Sequence, residues 1–99
     1  MEDPLVLVTR LEELSSLAST DEPIKKAAIY AAVKAIQMEV SNSKIAHNVQ
    51  VMEPLNTACF YINAAIGYEF VKKLSKEECL KKAQDKLNQL ITQINIAYH

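Results

Sequence analysis

The residue types that carry covalent chemistry are few in this chain, and their spacing does not suit it. His47 is the one internal histidine, since His99 stands at the chain end. A general base is oriented by a hydrogen-bonding neighbour, which on a helix lies three or four residues away. Those positions around His47 hold Ser43, Lys44, Gln50 and Val51, and Glu53 comes six residues on. Cys59 and Cys79, twenty residues apart, lack the short spacing of a metal knuckle. A single glycine, Gly67, excludes a glycine-rich phosphate loop. Glu12/Glu13 and Glu77/Glu78 are paired acids only in sequence, because adjacent residues on a helix point about 100° apart. The reading is of a protein that is not an enzyme and holds no metal or cofactor.

Recognition chemistry is better represented. A helix that reads DNA opens with basic and amide residues. The last apolar-patterned segment opens Lys76-Glu77-Glu78, whose acids repel phosphate, so no nucleic-acid partner is expected. Tyr61 and Tyr68 are seven residues apart, which on one helix places both on one face. Lys72, Lys73 and Lys76 follow as a basic elbow. Tyrosine and cationic side chains are what protein interfaces use as anchors. These five residues are the candidate partner-binding set.

The element that must position them is an apolar helix read over residues 54–74. No residue between Glu53 and Glu69 is charged, and Leu55, Ala58, Cys59, Phe60, Ile62, Ala64, Ala65 and Ile66 spread round most of its circumference. Such a helix requires neighbours on nearly every side. Its end is marked by Ser75 and Glu78, the S-x-x-E of a capping box, with Leu74 and Cys79 at the positions of a hydrophobic staple. If the chain folds back at Ser75, the two cysteines differ in axial height by about 15 Å, too far for a disulfide.

Earlier in the chain, Asp3-Pro4 is a cap and first-turn pair. Leu7, Leu11, Leu14 and Ala18 then form one stripe, widened by Val8. Residues 19–23, Ser-Thr-Asp-Glu-Pro, end that helix and start the next. The second helix carries two stripes. Ile24, Ala28, Ala31, Ala35 and Met38 alternate by four and three, and Ile29, Val33, Ile36 and Val40 lie beside them. Its alanines allow a neighbouring helix to approach closely. Residues 44–52 fit a short extra helix broken at Glu53-Pro54, or the first part of a long helix kinked at Pro54. Leu80, Ala83, Leu87, Leu90, Ile94 and Ala97 give the last helix the 3.5-residue period of a left-handed bundle. The fold class expected is all-α: one domain over residues 1–99, an antiparallel four-helix bundle with room for a short helix at 44–52.

Ninety-nine residues suffice for one core without staples. A net charge of −1 supplies no strong field towards nucleic acid or anionic lipid. The longest uncharged run, residues 54–68, is shorter than the roughly 20 residues of a membrane span. The start lacks the basic, apolar pattern of a signal peptide. A cytoplasmic protein with no transmembrane segment is expected, as a monomer rather than a dimer.

The layout resembles one known family. Pro23-Ile24-Lys25 opens the second helix, Tyr61-Ile62-Asn63 and Tyr68 mark the third, and Lys72-Lys73-Leu74 leads through an S-x-x-E turn into an amphipathic last helix. This is similar to the immunity proteins of pediocin-like (class IIa) bacteriocins. The resemblance implies an antiparallel four-helix bundle that protects a bacterial bacteriocin producer from its own toxin. It implies action at the membrane-embedded sugar-transporter receptor with bound bacteriocin, from the cytoplasmic side, with specificity set by the C-terminal half. Such proteins are commonly basic, whereas the pI of this chain is about 6.1. Two other classes fit the residues: an antitoxin-like or regulatory protein that masks a protein partner through the tyrosine face, and a structural homodimer paired through its last helix.

Overall fold

The computed structural model describes residues 3–98, so Met1, Glu2 and His99 lie outside the described residues. Four α-helices follow one another: α1 (Pro4–Leu17), α2 (Pro23–Ser41), α3 (Val49–Ala65) and α4 (Lys76–Tyr98). A 3-10 turn at Lys44–His47 joins α2 to α3. Among the described residues there is no strand, and the chain is an all-α helical bundle. Among the described residues no helix is long and apolar enough to cross a membrane.

Local chemistry accounts for the helix starts. Asp3 accepts a hydrogen bond from Leu5 N at 2.9 Å, and Pro4 follows as the first helical residue. Pro23 likewise stands first in α2, although the N-cap residue there, Glu22, makes no side-chain capping bond. At α4 the capping box is complete. Ser75 Oγ accepts from Glu78 N at 3.1 Å, and Glu78 Oε1 accepts from Ser75 N at 3.1 Å. Hydrogen bonding to the carboxylate from the Ser75 backbone N–H, and next from the Ser75 side chain, holds the Glu78 carboxyl below its ordinary pKa. Ser75→Ala removes half of the exchange and is expected to cost about 0.5–2 kcal/mol, read as a lower urea midpoint. An unchanged midpoint would mean that the cap contributes nothing.

At its start α3 follows one of the two open readings, a helix running on through Pro54, though from Val49 rather than Lys44; at its end it departs from the sequence reading. The helix begins at Val49 because Asn48 caps it, its Oδ1 accepting from Gln50 N at 3.0 Å. Pro54 lies inside α3, so residues 49–52 belong to that helix and only Lys44–His47 stand apart. The proline forfeits one early hydrogen bond, to the Gln50 carbonyl, and its ring is buried. At the other end α3 stops at Ala65 rather than running to Leu74. Tyr68 N bonds Asn63 O at 2.8 Å and Gly67 N bonds Ala64 O at 3.1 Å, with Gly67 at φ 88°. These are the two bonds of a Schellman stop, whose left-handed residue is usually glycine. A Cβ at Gly67 would meet nothing within 4 Å, so the backbone angle alone sets the requirement.

The core is contributed by all four helices. Leu7, Val8 and Leu11 of α1 meet Val51, Leu55, Ala58, Cys59 and Ile62 of α3 and Ala83, Leu87, Leu90 and Ile94 of α4 in one buried cluster. Helices α3 and α4 are antiparallel neighbours. Glu53, near the start of α3, pairs with Lys86 at 3.2 Å, and Tyr61, near its end, lines a recess with Lys82. The α4 stripe that could have paired with a second copy thus packs within the chain, with Ala83, Leu87, Leu90 and Ile94 in the core. Ala97, expected in that stripe, is exposed. On α2 only one of the two stripes is buried: Ile29, Val33, Ile36 and Val40 enter the core. The Ile24-Ala28-Ala31-Ala35-Met38 stripe faces outward, since burying the β-branched set removes more apolar surface from water.

Candidate interaction surface

The early end of α3 turns residues 66–75 into a ten-residue elbow between α3 and α4. Tyr61 and Tyr68 therefore do not share a helical face. Tyr61 stays on α3, half-buried, edge-on to Phe60 with ring centroids 5.5 Å apart. It lines a small recess of about 190 Å³ with Lys82, Asp85, Lys86 and Gln89. Tyr68 lies in the elbow and stacks on Tyr30 of α2, centroids 4.5 Å apart and rings inclined 20°. Lys34 Nζ stands 5.3 Å from the Tyr30 ring, adding a cation–π contact behind the stack.

The lysines divide in the same way. Lys76, a candidate contact residue, is an internal anchor: its Nζ donates to Ser19 O and Thr20 O, both at 3.2 Å, and to Asp21 Oδ1 at 2.8 Å. The bond from Lys76 and its charge hold the Asp21 carboxyl below its ordinary pKa. Lys76 thus ties the start of α4 to the turn between α1 and α2. Lys72 and Lys73 point into solvent. Lys73 has φ 67°, a left-handed angle that strains a residue with a Cβ, and strain of this kind collects at functional segments.

Phe70 is the residue that sequence reasoning placed wrongly. It was assigned to the central helix, yet it stands 85 % exposed in the elbow. Gly67 was the signal: a lone glycine eight residues before a capping box ends a helix and frees everything between. The elbow accordingly presents Tyr68, Phe70, Lys72 and Lys73, with Glu69 among them. The Tyr30–Tyr68 stack and the α3 stop fix one end, and the capping box and Lys76 fix the other.

The groups that might react covalently are placed otherwise. Cys59 and Cys79 are free and buried. Burial pushes the Cys59 thiol up to about 12, with a small opposing effect of Lys34, so it is not a thiolate at neutral pH. Cys79 is also raised, first by burial and then by the Glu78 charge. His47 is exposed. Among the described residues no three His, Cys, Asp or Glu side chains converge as metal ligands. Comparison of the chain with protein families, curated proteins and solved structures gives no match.

Proposed function

We propose that this is a non-enzymatic interaction protein whose protein partner docks on the elbow between α3 and α4. The observation that carries the reading is Phe70, 85 % exposed on a segment anchored at both ends and followed by two exposed lysines. Leaving a phenylalanine in water forgoes about 1.5–3 kcal/mol of burial. An interface recovers that energy, and binding energy concentrates in a few aromatic and cationic anchors. The complementary surface is an apolar socket rimmed by carboxylates. Anchoring limits the ordering entropy that a loop loses on binding.

The specific form of this reading is bacteriocin immunity, exerted in the cytoplasm on a transporter receptor with its bound toxin. The helix order, the proline-opened α2 and the capped turn into α4 support it, and the elbow lies in the C-terminal half. The test is growth of a pediocin-sensitive strain expressing each variant, challenged with a panel of pediocin-like peptides. Wild type is expected to protect against at least one peptide. Phe70→Ala and a Lys72→Glu/Lys73→Glu pair are expected to abolish protection with the circular dichroism and Tm of wild type. Lys73→Gly keeps the left-handed backbone and removes the charge, so its loss of protection separates charge from strain. Protection indifferent to all three variants would reject the elbow. Protection by wild type against no peptide would reject the immunity reading.

A further inference from the structure

Helix α2 carries a second apolar face that none of the described residues covers. Ile24 is 85 % and Met38 65 % exposed, and Ala27, Ala28, Ala31 and Ala35 between them are exposed as well. At 100° per residue these six positions fill one arc of about 100° that contains no charge. The arc lies opposite the buried Ile29, Val33, Ile36 and Val40. An isolated exposed apolar residue is ordinary; a continuous stripe along a whole helix marks an interaction surface.

The pattern is that of a coiled-coil seam. Ile24, Ala28, Ala31, Ala35 and Met38 recur by four, three, four and three, which are the d and a positions of successive heptads. Small residues at the centre and large ones at both ends make the seam self-complementary. A two-fold axis near Ala31 sets Ala31 against its own copy and Ile24 against Met38 of the second chain. The charges obey the same operation. In this heptad assignment Lys25 and Glu39 both occupy e positions, on one flank and at opposite ends of the stripe. Antiparallel pairing brings like flanks together with their ends reversed, so each Lys25, which pairs with Glu22 of its own chain at 2.6 Å, also comes within reach of a Glu39 of the other copy, twice per dimer. Lys34, on the other flank, faces Ala27 of the second copy and is drawn towards Tyr30 of its own chain. Antiparallel helices also oppose their dipoles favourably.

We propose that the protein forms a two-fold homodimer through the outer face of α2, the two helices antiparallel about Ala31. Phe70, Lys72 and Lys73 are not part of this seam, although Tyr68 of the elbow stacks on Tyr30 of the same helix. Exposed Leu17, beside Lys25 and Ala28 at the mouth of the α1–α2 groove, extends the apolar patch.

Sedimentation velocity and light scattering on the full chain test this over a concentration series reaching about 1 mM, where even a weak complex with a Kd of that order is populated. The mass is expected to rise from 11.1 kDa towards twice that value. Ala31→Glu, at an exposed helical site, is expected to hold the mass at one chain throughout while leaving helicity and Tm unchanged in dilute solution. Lys25→Glu or Glu39→Lys alone should weaken the dimer about tenfold, since each replaces two ion pairs with two repulsions. The double exchange Lys25→Glu/Glu39→Lys should restore it. Phe70→Ala should leave it unaltered. A wild type that stays at one chain through the series overturns the proposal, as does an Ala31→Glu variant that still dimerises. Weakening by Lys34→Glu in place of Lys25→Glu would show parallel helices and overturn the register.

Discussion

Ile62→Ala is expected to destabilise the protein by about 2–5 kcal/mol, the range for removing buried branched side chains from a packed core. Ile62 is fully buried on α3, in a core cluster to which α1, α2 and α4 also contribute. Ile66, 2 % exposed at the α3 stop, is expected to behave similarly. The total stability of a domain of this size is about 5–15 kcal/mol. Either variant therefore removes a large part of it. Ile96→Ala supplies the control, since Ile96 is 73 % exposed and surface changes stay within about 0.5 kcal/mol. Urea denaturation at fixed protein concentration reads all three. Midpoints for Ile62→Ala and Ile66→Ala that match the Ile96 control would place the core elsewhere.

The residues that were legible in sequence are those whose roles are local. The Asp3-Pro4 start, the Pro23 start and the Ser75–Glu78 box each depend on atoms within a few positions, and each formed as its residue types dictate. The apolar stripes of α1 and α4 were legible because each helix has a single such stripe to bury. The limits of α3 were not. Of the two readings open there, a break at Glu53-Pro54 and a helix continuing through Pro54, the second holds from the Asn48 cap onward, because a proline early in a helix loses one hydrogen bond while burial of its ring compensates. Gly67 ended the helix ahead of seven residues that continue an apolar-looking pattern, and the two tyrosines thereby parted. On α2 two stripes competed, and periodicity cannot tell which one other helices of the chain will meet. Tertiary geometry decided it. The proposed surface lies on the stretch of chain that the tyrosines and lysines marked, but its composition differs from that set. Phe70 entered, Lys76 became an anchor, and Tyr61 moved to another face.

A steep loss of stability in alkali is expected from Cys59. Below pH 9 its thiol is protonated in the folded and the unfolded chain alike, and the protein keeps its full stability. Between the ordinary value of 9.0 and the folded value of about 12, the unfolded chain releases the proton and the folded chain does not. The unfolded state therefore binds fewer protons, and stability falls as pH rises, by about 1.4 kcal/mol per pH unit. The loss attributable to this one thiol approaches about 4 kcal/mol by pH 12. Cys79 is shifted in the same direction and adds to the slope. Lysines and tyrosines titrate in the same window, so the comparison is with Cys59→Ala, which keeps them all. That variant starts less stable at pH 8 because of the cavity it leaves. By pH 10.5 its deficit should narrow by about 2 kcal/mol, one and a half pH units above the ordinary thiol value. Midpoints of urea unfolding at pH 8 and 10.5 give the two differences. Parallel loss in both proteins would mean that the folded chain accepts a thiolate at Cys59, which requires water or a cation to reach the centre of α3. In that case the buried cysteine would also be reactive, and a thiol reagent would modify native protein at pH 8 as fast as the urea-unfolded chain.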